Sequence, residues 1–372
     1  MLLLNISPIY LRCGALIPNS EMLEKELDYY KERFRYIKPE MNITYKSRKL
    51  ILFQINYFRI KEFTQTPDYE FLEKFEVIKN LPLDETEFKQ LKRNLSNHKD
   101  SVTILSEPRN KSKIASCYYC GNITGTKEYL IFKLFQRKCI RYGFPTELSI
   151  KGIDYINSHF SNSFFSLPKL NKRKYSLKKD LYPYILTTGD EGNSVFRVDS
   201  SDSFKKIGHS TIGPATIWSL FYLACNNEDY EDPKFALKEA AKGNNNNIDL
   251  SVGDIYGGDY SGVGLSSHKI ASNFSKISDR NLLENKDIGK ALALFYGATY
   301  SKISAMFASK EKINKMIISG DTFDSDELMQ IIQSSLGEFS SNTIKAVFCE
   351  YANFFEIIGM LVELDNDKYY NI

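Results

Sequence analysis

The chain has 372 residues, a length that suits two domains. Hydrophobic residues make up 42% of it and aromatic residues 13%, which supports packed cores and excludes disorder throughout. Lys and Arg number 49 against 46 Asp and Glu, so a net charge of +3 gives no support to a nucleic-acid partner. A mean hydropathy of −0.34, without any run of about 18 apolar residues, excludes a polytopic membrane protein, and we expect no membrane partner.

The six cysteines do not form a disulfide framework in a chain of this length. Cys117 and Cys120 make one isolated CxxC without a second pair or a nearby histidine, so we predict buried thiols rather than zinc, and no metal site made by cysteine. The apolar first residues are too short for a signal peptide and lack a basic region. These features predict a reduced, cytoplasmic protein.

The first half of the chain alternates between strand-like and helix-like patterns. Strands are predicted over residues 1–16, 43–60, 101–106 and 113–118, and helices over 21–36, 69–81, 85–95, 126–140 and 147–160. The stretch 163–183 contains two prolines and a basic run, which is typical of a solvated loop. We therefore place a domain boundary there, with an N-terminal domain over 1–180 and a C-terminal domain over 181–372.

The second half opens with a hairpin pattern. Strands over 184–187 and 194–198 flank a tight polar turn, a third strand follows over 204–207, and a Gly/Ser/Thr-rich turn then enters a helix at Pro214. Helices are predicted over 234–242, 286–310, 325–337 and 351–363. Strands, a phosphate-type turn and a helix are the plan of each half of the actin-like, sugar-kinase-like ATPases, where backbone N–H groups receive phosphate. The predicted fold class is therefore α/β, with two actin-like domains.

The most specific motif lies in residues 242–276. Residues 254–260 read Asp-Ile-Tyr-Gly-Gly-Asp-Tyr, 264–265 read Gly-Leu, and 271–274 read Ala-Ser-Asn-Phe. This segment resembles the eukaryotic-type pantothenate kinases, which carry Asp-Ile-Tyr-Gly-Gly-Asp-Tyr, Phe-Gly-Leu and Ala-Ser-Ser-Phe-Gly in the same order. The resemblance extends over most of the chain and is loose over residues 17–110. It implies an ATP-dependent kinase of coenzyme A synthesis that phosphorylates pantothenate, pairs through its second domain and is inhibited by acyl-CoA.

The resemblance also implies a catalytic base and a substrate wall. Glu147 falls on the family's catalytic glutamate, although a carboxylate that stabilises a helix N-terminus is the alternative. Lys206 falls on a substrate-contacting arginine and keeps the charge without the bidentate fork. The implied substrate-binding residues are Ser194, Lys206, Tyr256, Tyr260, Ala271 and Ser272. For the two tyrosines, packing at a subunit interface is the alternative, and Asp254 and Asp259 fit capping or turn carboxylates.

The implied nucleotide-binding positions depart from the family pattern. They are Asn5, Ser7, Arg12, Gly192, Gly213 and Gly320. Residues 5–9 stand where the family has Asp-Ile-Gly-Gly-Thr, so a carboxylate for Mg²⁺ and an N–H donor are lost. Residues 213–215 read Gly-Pro-Ala instead of Gly-Gly-Gly, and residues 190–194 read Asp-Glu-Gly-Asn-Ser instead of Gly-Ser-Gly-Val-Ser. His209, in the second turn, fits a hydrogen-bonded structural group.

Three functions follow from this combination. Each lost preorganised contact costs about 10²–10³ in rate, which favours a catalytically weakened subunit that pairs with an intact kinase subunit. The alternatives are an active homodimeric pantothenate kinase with divergent loops, and a non-catalytic protein that binds CoA or pantetheine-like ligands. The expected ligands are pantothenate, ATP with Mg²⁺ if the chain is active, and CoA or acyl-CoA as a feedback ligand. Whether Asp190 or Glu191 replaces the lost carboxylate stays open, as does the choice between homodimer and heterodimer.

Overall fold

A computed structural model describes most of the second half of the chain and part of the first. The described residues are 2–6, 10–17, 38–45, 48–56, 117–121, 139–160, 162–168, 172–175, 177, 180–189, 192–225, 233–279, 282–320 and 325–366. Contacts between Cα atoms divide the chain into unit 1, Met1–Ile153 with Phe354–Ile372, and unit 2, Asp154–Asn353. The division differs from the predicted boundary for residues 154–180 and for the C-terminal helix, and that boundary stays a prediction.

Unit 1 contains a six-stranded mixed sheet. Its strands are β1 (Leu2–Ile6), β2 (Tyr10–Ile17), β3 (Lys38–Tyr45), β4 (Arg48–Asn56), β5 (Cys117–Gly121) and β6 (Cys139–Arg141), in the order β3-β4-β2-β1-β5-β6. Strands β1, β2, β4 and β3 pair antiparallel in turn, whereas β1, β5 and β6 pair parallel. The apolar pattern over 1–16 is thus a hairpin rather than one strand.

Unit 2 contains a seven-stranded mixed sheet. Its strands are β7 (Phe164–Ser166), β8 (Arg173–Lys174), β9 (Tyr184–Gly189), β10 (Asn193–Ser200), β11 (Ser203–Ser210), β14 (Lys315–Gly320) and β15 (Lys345–Cys349), in the order β11-β10-β9-β14-β15-β7-β8. Strands β9, β10 and β11 form an antiparallel meander, and β14 and β15 lie parallel to β9. Unit 2 thus places three antiparallel strands next to two parallel ones, and unit 1 has the same arrangement with β3 as a fourth antiparallel strand at its edge. The actin-like fold prediction is confirmed.

Seven α-helices are described. They are α1 (Pro145–His159), α2 (Pro214–Ala224), α3 (Pro233–Ala241), α4 (Val252–Tyr256), α5 (Asn285–Lys310), α6 (Asp326–Phe339) and α7 (Phe355–Asn366). Helix α5 is the centre of the helical layer of unit 2, where a Cβ on Gly289 would lie 2.9 Å from Phe221 and a Cβ on Gly297 would lie 2.5 Å from Ile331. Among these helices, none combines the length and the apolar character that crossing a bilayer requires.

Where the predicted helices fall on described residues, over 147–160, from Pro214, and over 234–242, 286–310, 325–337 and 351–363, they agree with these bounds to within a few residues. Two other predictions need correction. Residues 139–141, at the end of a predicted helix, form β6, because they pair with Cys117–Tyr119 of β5. Within the predicted loop 163–183, Phe165 and Ser166 pair with exposed Lys174 and Arg173, because buried Phe164 and Phe165 anchor this short ladder. The patterns over 21–36, 69–81, 85–95 and 101–106, and residues 113–116 and 126–138 of two further patterns, lie outside the described residues.

Candidate functional site

The first predicted phosphate turn belongs to unit 1. Asn5 of β1 lies directly opposite Arg12 of β2 and next to Cys120 of β5 in the sheet register. Arg12 is 1% exposed, so its positive charge is held inside the unit. Ser7 lies outside the described residues. The position where the family pattern has a carboxylate is therefore an asparagine, and the residue opposite it in the sheet register is the buried Arg12.

The residues at the first predicted phosphate turn do not supply the ligands that Mg²⁺ requires. The ion is bound in proteins through one or two carboxylates together with substrate phosphates, and Asn5 supplies none. Over the described ranges, no group of three or more His, Cys, Asp or Glu side chains could hold a metal ion. Asp190 and Glu191 lie outside those ranges. Among the described residues, this turn therefore offers no carboxylate to a magnesium ion.

The candidate base, Glu147, occupies the first turn of α1 in unit 1 and is half-buried. The turn beneath it is fixed by close packing, since a Cβ on Gly359 of α7 would lie 1.9 Å from the Leu148 carbonyl oxygen. The Ser149 hydroxyl also donates to Glu356 of α7 over 2.7 Å. A carboxylate here interacts favourably with the helix dipole. Its placement suits both readings of Glu147, and its role as a base stays a prediction.

Two turns of unit 2 meet at the end of the sheet. The hairpin end, of which Gly189 and residues 192–194 are described, lies between β9 and β10, and the helix-entry turn, residues 210–216, joins β11 to α2. A Cβ on Gly192 would lie 2.4 Å from the Ser210 carbonyl oxygen. Gly320, with φ of +134°, ends β14, where a Cβ would lie 2.2 Å from the Gly189 oxygen. Glycine is required at both positions, because the backbones of the two turns and of β14 approach so closely.

The helix-entry turn uses its own hydrogen-bonding groups. The Ile212 N–H donates to the Ser210 hydroxyl over 3.1 Å, and the Gly213 N–H donates to the Thr216 hydroxyl over 3.4 Å. That hydroxyl in turn donates to the Thr211 carbonyl over 3.2 Å. Pro214 has no N–H. Of the donors that a glycine-rich turn would offer to phosphate, two are engaged internally and a third is missing.

A buried polar network joins the two turns to helix α5. The Asn193 amide donates to the Ile212 carbonyl over 2.6 Å and accepts a hydrogen bond from the Tyr296 hydroxyl over 3.1 Å. His209 Nδ1 lies 3.1 Å from the Asn193 carbonyl oxygen, which confirms its predicted structural role. One helical turn further along α5, the Tyr300 hydroxyl donates to Thr187 of β9.

The predicted substrate wall lies in residues 249–276, which we call the tyrosine segment. The Tyr256 and Tyr260 rings stack with centroids 4.3 Å apart and planes 13° apart, and both are exposed. Ala271 and Ser272 lie in the short strand β13 (Ile270–Ser272), where Ser272 pairs with Leu250 of β12 (Leu250–Ser251). All four residues are thus exposed on one segment with little regular structure.

Three carboxylates hold this segment. The Asp249 carboxylate, 2% exposed, accepts a hydrogen bond from the Phe274 N–H over 2.9 Å. The backbone of Phe274 has a φ of +57°. Asp259 accepts the N–H of Ser267 over 2.7 Å, which lowers its pKa. Asp254 caps α4, and its hydrogen bonds to Lys276 and Ser251 lower its pKa to about 2. The prediction that Asp254 and Asp259 are capping or turn carboxylates is confirmed.

Apolar side chains are exposed within the tyrosine segment, next to it and on α2. Those at least one third exposed are Leu220, Tyr222, Leu223, Ile255, Tyr256, Tyr260, Val263, Ile270, Ile277 and Leu282. A cavity of about 590 Å³ lies among α2, α5 and residues 274–283. It is lined by Leu220, Leu223, Ala224, Phe274, Ile277, Leu283, Ile288, Leu292 and Phe295. An apolar surface of this kind is typical of a protein interaction site.

The structure brings some of the predicted residues together. The two turns contain Gly192, Gly213 and half-buried Ser194. Gly320 lies beside Gly189. Lys206, by contrast, is exposed on β11 and lies opposite Phe196. The four residues of the tyrosine segment form a separate group within unit 2. Asn5, Arg12 and Glu147 belong to unit 1.

The sequence analysis missed Asn193 and Tyr296 as part of the site. Both are buried, and 103 positions separate them in the chain. The available signal was an amide at a position next to Gly192 where the related kinases carry valine. Tyr296 gave no signal, because a tyrosine on an apolar helix face fits a core position equally well.

Comparison with known proteins assigns the chain to a family. The family described as Fumble matches residues 41–363. The chain is similar to the 4'-phosphopantetheine phosphatase of Mus musculus, with 26% identity over 231 residues, and to Pantothenate kinase 2 of Arabidopsis thaliana, with 30% identity over 192 residues. These matches cover 60% and 50% of this chain, but only 28% and 21% of those proteins.

Two solved structures are also similar. One is a glucokinase from Balamuthia mandrillaris in complex with glucose, with 10% identity, a TM-score of 0.39 and coverage of 97% of this chain and 92% of that one. The other is Plasmodium falciparum glycerol kinase with ADP, with 14% identity, a TM-score of 0.34 and coverage of 61% and 41%. At these TM-scores the fold assignment rests on the strand order of the two units. Because the family match extends over residues 41–363 of 372, the chain belongs to the Fumble family, which is the family of the pantothenate kinases.

Proposed function

We propose that this chain is a pantothenate kinase-family subunit of coenzyme A synthesis with a weakened phosphate site of its own. It binds a pantothenate-derived ligand and pairs with an intact kinase subunit, to which it supplies the tyrosine segment. In that assembly the intact subunit uses ATP and Mg²⁺ to phosphorylate pantothenate. A chain active alone, as a homodimer with divergent loops, is the alternative.

The observation that carries the proposal is the state of the helix-entry turn. Phosphate binding at a helix N-terminus needs N–H groups that point at the ligand. Here the N–H groups of Ile212 and Gly213 donate to side chains of the same turn, and Pro214 has none. With Asn5 in place of a metal-binding carboxylate, both phosphate turns are weakened, which predicts slow phosphoryl transfer.

The tyrosine segment supports the pairing part of the proposal. Asp249, Asp254 and Asp259 accept hydrogen bonds from its backbone, which favours one conformation although most of its side chains are exposed. A rigid apolar surface loses little conformational entropy on binding, which favours association. Its exposed side chains include Ile255, Tyr256 and Val263, at 50%, 55% and 60% exposure. Burial of these apolar side chains against a partner subunit is therefore more favourable than their exposure to water.

The ligand class follows from what the names of the relatives share. One relative is named a kinase of pantothenate and another a phosphatase of 4'-phosphopantetheine, and both names refer to the pantothenate moiety. The reaction differs between the two names, whereas this moiety does not. We therefore expect pantothenate, CoA and acyl-CoA as ligands, with acyl-CoA as the regulatory one. If no partner subunit is found, the remaining alternative is that this chain is a non-catalytic CoA-binding protein.

Two experiments on the purified full chain test the proposal. Calorimetry with CoA is expected to show binding without ATP or Mg²⁺, and the lack of binding by CoA and by pantothenate would refute the ligand class. Affinity purification from the cells that make the protein is expected to recover a second pantothenate kinase chain with an Asp-Ile-Gly-Gly turn. Recovery of this chain alone would refute the pairing and favour the homodimer.

A further inference from the structure

The side chain of Asn193 is a buried polar group of unit 2 that was not predicted from the sequence as part of the site. The residue is 4% exposed and begins β10, between Gly192 and Ser194. Its side chain reaches two other elements, since Nδ2 donates to Ile212 over 2.6 Å and Oδ1 accepts from Tyr296 over 3.1 Å. A primary amide satisfies both partners at once, which valine at this position cannot do.

These bonds fix the relative position of two predicted ligand contacts. Ser194 follows Asn193 directly on β10, and Gly213 follows Ile212 directly at the start of α2. The second partner, Tyr296, lies on the central helix α5, whose neighbouring residues Ala291, Leu292 and Ala293 are buried. The helix-entry turn is therefore tied both to the sheet and to the helical core.

We propose that Asn193 is a positioning residue that holds Ser194 of β10 and Gly213 of α2 in one arrangement, and so sets the affinity of this face for a pantothenate-derived ligand. The inference rests on the proposed function for the identity of that ligand. Asn193 acts through its neighbours, because its own side chain is engaged with Ile212 and Tyr296. The turn then keeps its geometry without a bound phosphate, although two of the three glycines found in related kinases are missing.

The test compares two sets of variants in the full chain. N193V removes both bonds, and the double variant N193V/Y296F also removes the hydroxyl that N193V leaves buried without its acceptor, so it is the one more certain to fold. Y300F is the matched control: its hydroxyl lies one helical turn along α5, equally buried, and bonds to Thr187 rather than to the turn. Hydrogen–deuterium exchange and calorimetry with CoA are measured on all of them.

In N193V/Y296F, the backbone N–H groups within residues 211–217, all except Pro214, are expected to exchange about five- to tenfold faster, because a stabilising bond to the turn is lost. The affinity for CoA is expected to fall by about the same factor. Y300F is expected to change neither quantity, even if its melting temperature falls as much. Unchanged exchange at 211–217 in N193V/Y296F, or an equal change in Y300F, overturns the inference. If the unmodified chain binds neither CoA nor pantothenate, the proposed ligand class fails, and the exchange result alone decides the role of Asn193.

Discussion

The tyrosine segment and the helix-entry turn belong to the same unit but have diverged to different degrees. The tyrosine segment keeps the motif of the related kinases, and its carboxylates bond to its own backbone at Phe274, Ser251 and Ser267. The helix-entry turn has lost two glycines, and its N–H groups bond to its own side chains. In both regions internal hydrogen bonds keep the backbone ordered, but only in the turn do they engage the donors that a phosphate ligand requires.

The largest expected effect is the loss of order in the tyrosine segment when Asp249 is replaced. The D249A variant removes the acceptor for the Phe274 N–H and for the Asn245 amide, and holds Phe274 less firmly at a positive φ. We expect the free energy of unfolding of the segment to fall by about 2–3 kcal/mol, the range for buried bonds to a charged group. Hydrogen exchange over residues 249–276 measures it.

The control for D249A is E338Q. Glu338 forms an exposed ion pair with Lys269 of the same segment over 2.6 Å. Exposed pairs contribute about 0–1 kcal/mol, so this variant is expected to leave the exchange of the segment almost unchanged. Equal effects of the two variants would show that the buried carboxylate does not order the segment.

A smaller effect is expected from restoring glycine at the helix-entry turn. The P214G variant returns one backbone N–H to the first turn of α2, where the dipole favours an anion. We expect ATP to bind about fivefold more tightly, which corresponds to about 1 kcal/mol for one added hydrogen bond. Calorimetry with ATP measures the change, and A215G, which adds no donor, is the control. An equal gain from both variants would point to backbone flexibility rather than to the lost N–H.

The smallest expected effect is a pH dependence of the tyrosine segment. The pKa of Asp254 is lowered to about 2 in the folded chain, chiefly by Lys276 and then by Ser251, against about 3.9 when unfolded. A lowered pKa stabilises the fold above the unfolded value, and this contribution is lost as the pH falls through the folded value. The protection of residues 251–257 against exchange, measured relative to the intrinsic rate at each pH, should therefore fall between about pH 4 and pH 2. The D254N variant should lack this step, and a step of the same size in D254N would assign it to another group.

The sequence predicted the fold well where periodic patterns were strong. Helix α5 was expected over 286–310 and runs from Asn285 to Lys310, because its apolar face repeats over seven turns. The division into units was harder to predict, because it depends on where the C-terminal helix packs rather than on local composition. Close backbone packing of Gly359 against Leu148 brings α7 to unit 1.

The candidate site was predictable only where its residues are neighbours in the chain. The carboxylates of the tyrosine segment bond within about 25 positions, and the motif pointed to their capping roles. Asn193 and Tyr296 are 103 positions apart, so no local pattern links them. The contact between Gly320 and Gly189 was not predicted for the same reason, because the two glycines are far apart in the chain.

Phosphoryl transfer by the purified chain alone tests the account most directly. With ATP, Mg²⁺ and pantothenate, we expect a rate at least about 10²-fold below that of an intact kinase subunit assayed alongside it, because each lost preorganised contact costs about that factor. We also expect the rate to rise when the two chains are combined at equal concentration. Turnover by the chain alone at the rate of the intact subunit would contradict the weakened phosphate site on which the proposed function rests.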